Sequence, residues 1–305
     1  MYNDSMITLP SSLRIGVIRG GVSPEYESSL KSGANVLKDL SETHKLLDIF
    51  ISQDGIWHMQ GMEKSPERIL KNVDVIFNAL HGTWDEDGEV KETLDRYGVP
   101  CTGSGKFSSV FAQNKWMVKD KMKALGIKTP VYAVVRRSND IGLKAQEIFN
   151  SIPHPLRVLP ANAGSGEKVY KVSSFRELLT ALENILIKYD IALVEEFIAG
   201  EDASCLVTEN FRGENVYAFP PNRVLSKEEK KTIEDIAKKV HKELNLSHYS
   251  SSNFVVSPRR GVYFLEVNSL PRLHKGSEIL NPLASVGVSV KEFFNHILNL
   301  TLKRV

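Results

Sequence analysis

The chain has 305 residues, 42% of them hydrophobic and 25% charged, values of an ordinary folded protein that exclude wholesale disorder. That length lies above the roughly 250–300 residues at which one hydrophobic core stops growing, so two or three domains are expected. Lysine and arginine number 39 against 37 acids, a formal net charge of +2, which leaves no basic field for nucleic acid or an anionic membrane.

The opening stretch MYNDSMITLPSSLRIGVIRGG carries no basic segment followed by an apolar one, so no targeting signal is read there. LRIGVI (13–18) is a short apolar strand, and RGGVSPEYESSL after it opens a helix that runs through Leu40. LLDIFIS (46–52) and VDVIFNAL (73–80) are further strands, and EVKETLDRYG (89–98) is helical. Strands alternating with amphipathic segments imply a parallel sheet covered by helices. GVPCTGSG (98–105) is a linker by composition.

Residues 108–125 read as one helix ended by Gly126. TPVYAVV (129–135) and PLRVL (155–159) read as strands, with a helix over 143–151 between them. SSFRELLTALENILIKY (173–189) is an amphipathic helix with a Ser cap. ALVEEFI (192–198), ASCLVT (203–208) and GVYFLEVN (261–268) are strands; helices fill 226–244 and 289–304. No apolar run reaches the ~20 residues of a membrane helix. The two cysteines, Cys101 and Cys205, lack C-x-x-C spacing, which excludes a disulfide scaffold and a thiolate zinc site. A cytoplasmic protein is expected.

Three places carry chemistry. The two glycines of IGVIRGGVSPEYESSL follow a strand and precede a helix, where backbone N–H groups can receive an anion or simply close a tight turn. His81, in ALHGTWDEDGEV, follows another strand of the same sheet, at the carboxyl end where open α/β sheets bind ligands; a structural His fits the spacing equally. The acids Asp85, Glu86 and Asp87 beside it also suit a solvated turn. Glu266 and Asn268 in YFLEVNSLP are two apart on a strand, so both face one side. A carboxylate and an amide oxygen so placed can share a magnesium ion, and a buried Glu in an apolar strand calls for a cation.

Taken in order, GGVSPEYESSLKSGANV, VIFNALHGTWDEDGEV, GVPCTGSG, the helix of Lys115 with KMKALGIKTP, LVEEFIAGED and FLEVNSLP resemble the D-alanine–D-alanine ligases of the ATP-grasp superfamily. The resemblance implies an ATP-grasp fold: an N-terminal parallel-sheet α/β domain (13–104), then two α+β domains (105–194 and 195–305) clasping the nucleotide. It implies ATP and Mg²⁺ as cofactors, D-alanine as substrate, cell-wall precursor synthesis, and a homodimer. ATP would phosphorylate one carboxylate, and the amine of a second amino acid would attack the acyl phosphate through an oxyanion.

By the same resemblance, Glu27 is the acid for the first substrate's ammonium, with His81 beside it. Lys115 is a phosphate lysine. Glu195, Glu196 and Ile198 form the adenine strand, and Glu201 meets the ribose. Glu266, Asn268 and Asn253 are the metal positions. Ser165 lies in the glycine-rich flap, and Ser277 is a substrate serine. The departures are several: Leu159 stands for a phosphate lysine, Ser251 for the oxyanion arginine, Asn253 for a metal aspartate and Arg272 for the oxyanion glycine. The flap reads Gly164, Ser165, Gly166, Glu167, Lys168, and few residues join Tyr217 to the helix at Ser226, where the family carries a lid. Lys168, Arg223 and Arg272 are the cations that could restore charge. Two functions follow: a carboxylate–amine ligase with impaired or altered chemistry, or a non-catalytic homologue binding nucleotide, a small amino acid or a protein.

Overall fold

The computed structural model describes residues 13–82, 89–162, 164 and 168–303. The first sheet has the order β4-β3-β2-β1-β5. Its parallel part centres on β1 (Arg14–Gly20), flanked by β2 (Lys45–Ile51) and β5 (Val75–Asn78). Ile15, Val17 and Ile18 are fully buried, as a strand covered on both faces requires. The hairpin of β3 (Trp57–Met59) and β4 (Met62–Glu63) adds two antiparallel edge strands that the sequence reading lacked. Helices α1 (Tyr26–Leu40), α2 (Pro66–Leu70) and α3 (Glu89–Arg96) belong to this part.

The predicted helix over 108–125 is two helices, α4 (Lys106–Gln113) and α5 (Lys115–Ala124). Asn114 leaves helical backbone (φ −76°, ψ 87°) and caps α5 by accepting from the N–H of Met117. The N–H of Lys115 turns outward to the carbonyl of Ala161, 3.0 Å away.

The second sheet, β6-β9-β7-β8, is antiparallel throughout: β6 (Tyr132–Arg136), β7 (Leu156–Pro160), β8 (Tyr170–Val172) and β9 (Ile191–Glu196). Helices α6 (Ile141–Ser151) and α7 (Phe175–Lys188) cover one face, burying Ile148, Leu178, Leu182 and Ile185 against Val135 and Val158. The third sheet, β11-β10-β12-β13, is also antiparallel: β10 (Glu201–Phe211), β11 (Glu214–Ala218), β12 (Tyr249–Ser257) and β13 (Gly261–Asn268). Strand β12 lies inside the sheet, between β10 and β13, and the sequence reading assigned no element to it. Helix α8 (Lys227–Glu243) packs on this sheet, and α5 joins the same core through Val118 and Met122.

After α9 (Asn281–Ser285), α10 (Val290–Leu302) returns to the first sheet. Phe293, Phe294, Ile297 and Leu298 pack on Ile15, Val17, Val75 and Phe77, with Phe77 and Phe294 edge to face at 5.4 Å. The chain's last helix thereby completes its first core. Helices α7, α8 and α10 each start on a reciprocal capping box, Ser174/Glu177, Ser226/Glu229 and Ser289/Glu292.

Candidate functional site

A cleft of about 450 Å³ lies between the second and third sheets. Its walls are Pro130, Phe197, Ile198, Phe254, Val255 and Leu265, with Arg157, Glu196, Asp202, Ser204, Asn253 and Glu266 as polar members. Strand β9 passes into β10 through a short turn, so one continuous segment forms the back of the cleft. Gly200 is required in that turn, because a Cβ there would sit 2.3 Å from the carbonyl oxygen of Val256.

Most of the charged groups around the cleft are paired with one another. Lys115 and Lys119 lie one turn apart on α5. The Lys115 ammonium is 2.9 Å from Oε2 of Glu266, with the two side chains 11% and 24% exposed. The other oxygen, Oε1, accepts from the Asn253 amide at 3.1 Å. Lys115 above all holds the Glu266 carboxyl down to about 2, against the opposing effect of burial. Asn253 Oδ1 accepts from the Ser204 hydroxyl at 2.8 Å, and Asn268 Oδ1 accepts from the N–H of Leu270 at 3.1 Å.

Lys119 is fully buried and lies 3.0 Å from Glu195, itself buried. Burial pushes its ammonium below the usual lysine range, against the pull of Glu195. It also donates, at 2.6 Å, to the carbonyl of Leu265, the residue that the β12–β13 register skips between Asn253↔Glu266 and Phe254↔Phe264. A bulge leaves one peptide out of the ladder, and Lys119 satisfies its oxygen. Arg157 stands 3.8 Å from Glu195, and Arg260 forks onto Glu196 at 2.8 and 3.2 Å.

A second polar cluster occupies the carboxyl end of the first sheet. The Ser23 hydroxyl donates to the carbonyl of His81 at 2.6 Å and accepts from the N–H of Glu25 at 3.0 Å. His81 Nδ1 is 3.1 Å from the carbonyl of Leu270, so that nitrogen carries the hydrogen; Nε2, 2.8 Å from Ser32 Oγ, accepts. Burial pulls the His81 imidazole down to about 4, Glu25 opposing, so it is neutral at pH 7. Arg272 Nη2 lies 2.6 Å from Oε1 of Glu25, with side chains 40% and 7% exposed respectively. Gly82 and Gly164 come close here: a Cβ on Gly82 would meet Ser23 Oγ at 2.4 Å, and one on Gly164 would meet Glu25 at 3.3 Å.

The family model of the D-ala D-ala ligase C-terminus matches residues 121–225 and 217–299. A D-alanine–D-alanine ligase of Paraburkholderia phymatum is 30% identical over 315 residues, covering 95% of this chain and 96% of its own length. The chain belongs to the D-alanine–D-alanine ligase family. The ligase of Clostridium beijerinckii is 28% identical, covering 95% of this chain and 99% of its own. Among solved structures, the ligase of Coxiella burnetii superposes with a TM-score of 0.86 at 23% identity, covering 97% of this chain and 95% of its own. The Bacillus anthracis ligase complexed with ATP gives 0.81 at 24%, covering 96% and 98%. The fold is therefore ATP-grasp, with the second and third sheets as its clasp. The two matched stretches of the family model overlap at 217–225, the short connection from β11 to α8.

Against this family frame, the predicted residues fall into three sets. Glu195, Glu196, Ile198, Lys115, Asn253 and Glu266 are at or beside the cleft, and Asn268 is on the same strand as Glu266. His81 and Arg272 meet in the second cluster, while the Ser277 hydroxyl donates to the carbonyl of Arg272 at 2.8 Å and so shapes that loop. Ser165 and the acids Asp85–Asp87 lie outside the described residues.

Two of the predicted residues lie outside these clusters, each with an acid close by in sequence that lies inside. Glu27 is exposed on the first turn of α1, and the acid inside the pocket is Glu25, which precedes the helix and is fixed by Ser23. Glu201 is exposed at the start of β10, and the acid lining the cleft is its neighbour Asp202. The sequence reading also missed Lys119 and Arg157; a lysine four residues after Lys115 was the available signal.

The departures have physical consequences. Leu159 is buried in an apolar cluster with Ala161, Leu193 and Trp116. Ser251 is buried in β12. Of the three cations that could restore charge, Lys168 lies over the Tyr170 ring, Arg223 pairs with Glu278 at 3.1 Å, and Arg272 pairs with Glu25. Among the described residues no group of three or more His, Cys, Asp or Glu is arranged to hold a metal, and no helix is long and apolar enough to cross a membrane.

Proposed function

We propose that this family member keeps the adenine-nucleotide cleft of the ATP-grasp ligases and that D-alanine–D-alanine joining is severely impaired in it. The carrying observation is the Arg272–Glu25 pair. The resemblance gives the ammonium of the first amino acid to an acid at the start of α1, read as Glu27, and we assign that role to Glu25, the acid that is buried there. Here a guanidinium of the chain itself occupies that carboxylate, and an incoming ammonium must displace it from a largely buried contact. Removing one partner of a buried pair costs about 3–5 kcal/mol, less where one member is hydrated as Arg272 is.

The cleft fits the base and sugar of ATP. Ile198, Leu265, Phe254 and Val255 offer apolar walls to a flat ring, and the Asp202 carboxylate can accept from sugar hydroxyls. When bound, ATP would supply the phosphoryl group that activates a carboxylate. The residues that would stabilise the subsequent oxyanion are the weak part. Ser251 is too short to replace an arginine fork, and each lost oxyanion donor typically costs ~10²–10³ in rate. Because the oxyanion arginine, a phosphate lysine and the oxyanion glycine all differ together, the losses compound, though not additively.

The second reading is a non-catalytic homologue that binds nucleotide, a small amino acid or a protein partner. It is favoured by the mutual pairing of Lys115, Lys119, Arg260 and Arg272 with acids of the chain, which leaves few of these charges for a substrate. One assay separates the two readings: phosphate release and dipeptide formation, followed together with ATP, Mg²⁺ and D-alanine. Slow phosphate release without dipeptide supports an impaired ligase, and neither product supports the binding protein. Dipeptide formed in step with phosphate, at several turnovers per second, overturns both.

A further inference from the structure

We infer that the cleft takes its nucleotide without a divalent cation, the Lys115 ammonium standing against Glu266 where a metal would have to sit. This rests on the nucleotide reading above. A hard cation needs several oxygen donors, carboxylates foremost, with free lone pairs. Of the three carboxylates among the described residues lining the cleft, Glu196 is taken up by Arg260 and Asp202 stands opposite Val255 in the sheet register. Glu266 is therefore the one beside Asn253 and Asn268, and both of its oxygens are engaged, by Lys115 at 2.9 Å and by the Asn253 amide at 3.1 Å.

The two amide oxygens nearby are engaged as well. Asn253 Oδ1 accepts from the Ser204 hydroxyl, and Asn268 Oδ1 accepts from the N–H of Leu270. Asn253 in addition presents its N–H₂, not its oxygen, to the carboxylate. A divalent ion on Glu266 would meet an ammonium already bound to the same group, and like charges at such range repel strongly in a half-buried site. Ser251, paired in register with Asn268, adds no negative charge.

The charge of the walls agrees. Glu196 is neutralised by Arg260 and Glu266 by Lys115, which leaves Arg157 to balance Asp202. Among the described residues that line the cleft and their ion-pair partners the two signs balance, with Lys171 over the Phe197 ring just outside the lining. The ligand class that suits it is an adenine nucleoside or its monophosphate.

The test uses the whole chain. Adenosine monophosphate is titrated calorimetrically in magnesium chloride and again in EDTA, and affinities within about twofold are expected. A tightening of roughly tenfold or more with magnesium overturns the inference. In parallel, Mn²⁺ is titrated into the chain without nucleotide and read by electron paramagnetic resonance. No stoichiometric ion is expected; a bound Mn²⁺ that disappears in Glu266→Gln overturns the inference independently. The double variant Lys115→Met with Asn253→Asp removes the ammonium and supplies a second carboxylate, and it gains a Mn²⁺ site. If that variant folds, as its circular dichroism reports, and gains none, the reasoning fails. Binding of nucleotide in neither buffer counts against the nucleotide reading, while the manganese arm still decides the cation claim.

Discussion

Replacing Lys115 by methionine removes the ammonium and keeps most of the side-chain volume. In the folded chain the Glu266 carboxyl lies at about 2 against an ordinary 4.5, and Lys115 is the largest cause. A shift of that size corresponds to about 3 kcal/mol of preference for the ionised form in the fold. Because the folded value is the lower one, this stabilisation is complete above about pH 4.5 and fades as the pH falls towards 2. Lys115→Met leaves the carboxylate to the Asn253 amide and the weaker pull of Arg157, so most of the 3 kcal/mol is lost at pH 7. For a chain of 305 residues that is a fall of about 5 °C in the melting midpoint. Scanning calorimetry at pH 7 and at pH 3.5 checks it: the gap between variant and parent should narrow at the lower pH. Adding Glu266→Gln should recover part of the loss, since it removes the stranded charge. A change of less than about 1.5 °C at pH 7, or a gap undiminished at pH 3.5, would refute the pairing.

Three further outcomes are expected. The His81 imidazole is pulled from 6.5 to about 4, so the fold holds it neutral; stability is full above about pH 6.5 and falls by about 3 kcal/mol as the pH drops to 4. Melting curves across that range should show this slope in the parent and a flatter one in His81→Gln. Adenosine and ATP should bind with affinities less than ~100-fold apart, because Leu159 brings no charge to the phosphates; a calorimetric gap of about 2.7 kcal/mol or more would refute this. Asn114→Ala removes the cap of α5 and should lower stability by about 1 kcal/mol, read from urea midpoints.

Much of this architecture is legible in the residues because local and global signals agree. The S-x-x-E boxes at Ser174, Ser226 and Ser289 mark helix starts, and β1 and β5 declare buried strands by their apolar runs. The break at Asn114 is hidden because an Asn cap sits inside an otherwise continuous helical pattern, and the bond that fixes it comes from Ala161, remote in sequence. Strand β12 is hidden by its serines: Ser250, Ser251 and Ser252 have loop-like composition yet are buried in a central strand. The site residues follow the same division. Residue type singles out His81 and Glu266 as candidates, but that Glu25 and not Glu27 is the buried acid follows only from α1 beginning at Tyr26, between them. Choosing Asp202 over Glu201 requires the face of β10 that meets the cleft. The ion pairs of Lys119, Arg157 and Arg272 join residues far apart in the chain; the spacing from Lys115 hints at Lys119, but no local pattern gives the partners.

Lys115 and Lys119 project from one face of a single short helix, yet their acids belong to opposite halves of the clasp: Glu266 to the third sheet and Glu195 to the second. Helix α5 is thus a strut of fixed length pinned at both ends. Spreading the two sheets stretches one ion pair or the other, and the Lys119 contact is too deeply buried for water to replace it cheaply. The helix thus ties the two sheets together through these two contacts. The expected consequence is a slot of nearly constant width: structures with and without nucleotide should superpose along β9 and β13 with little relative displacement.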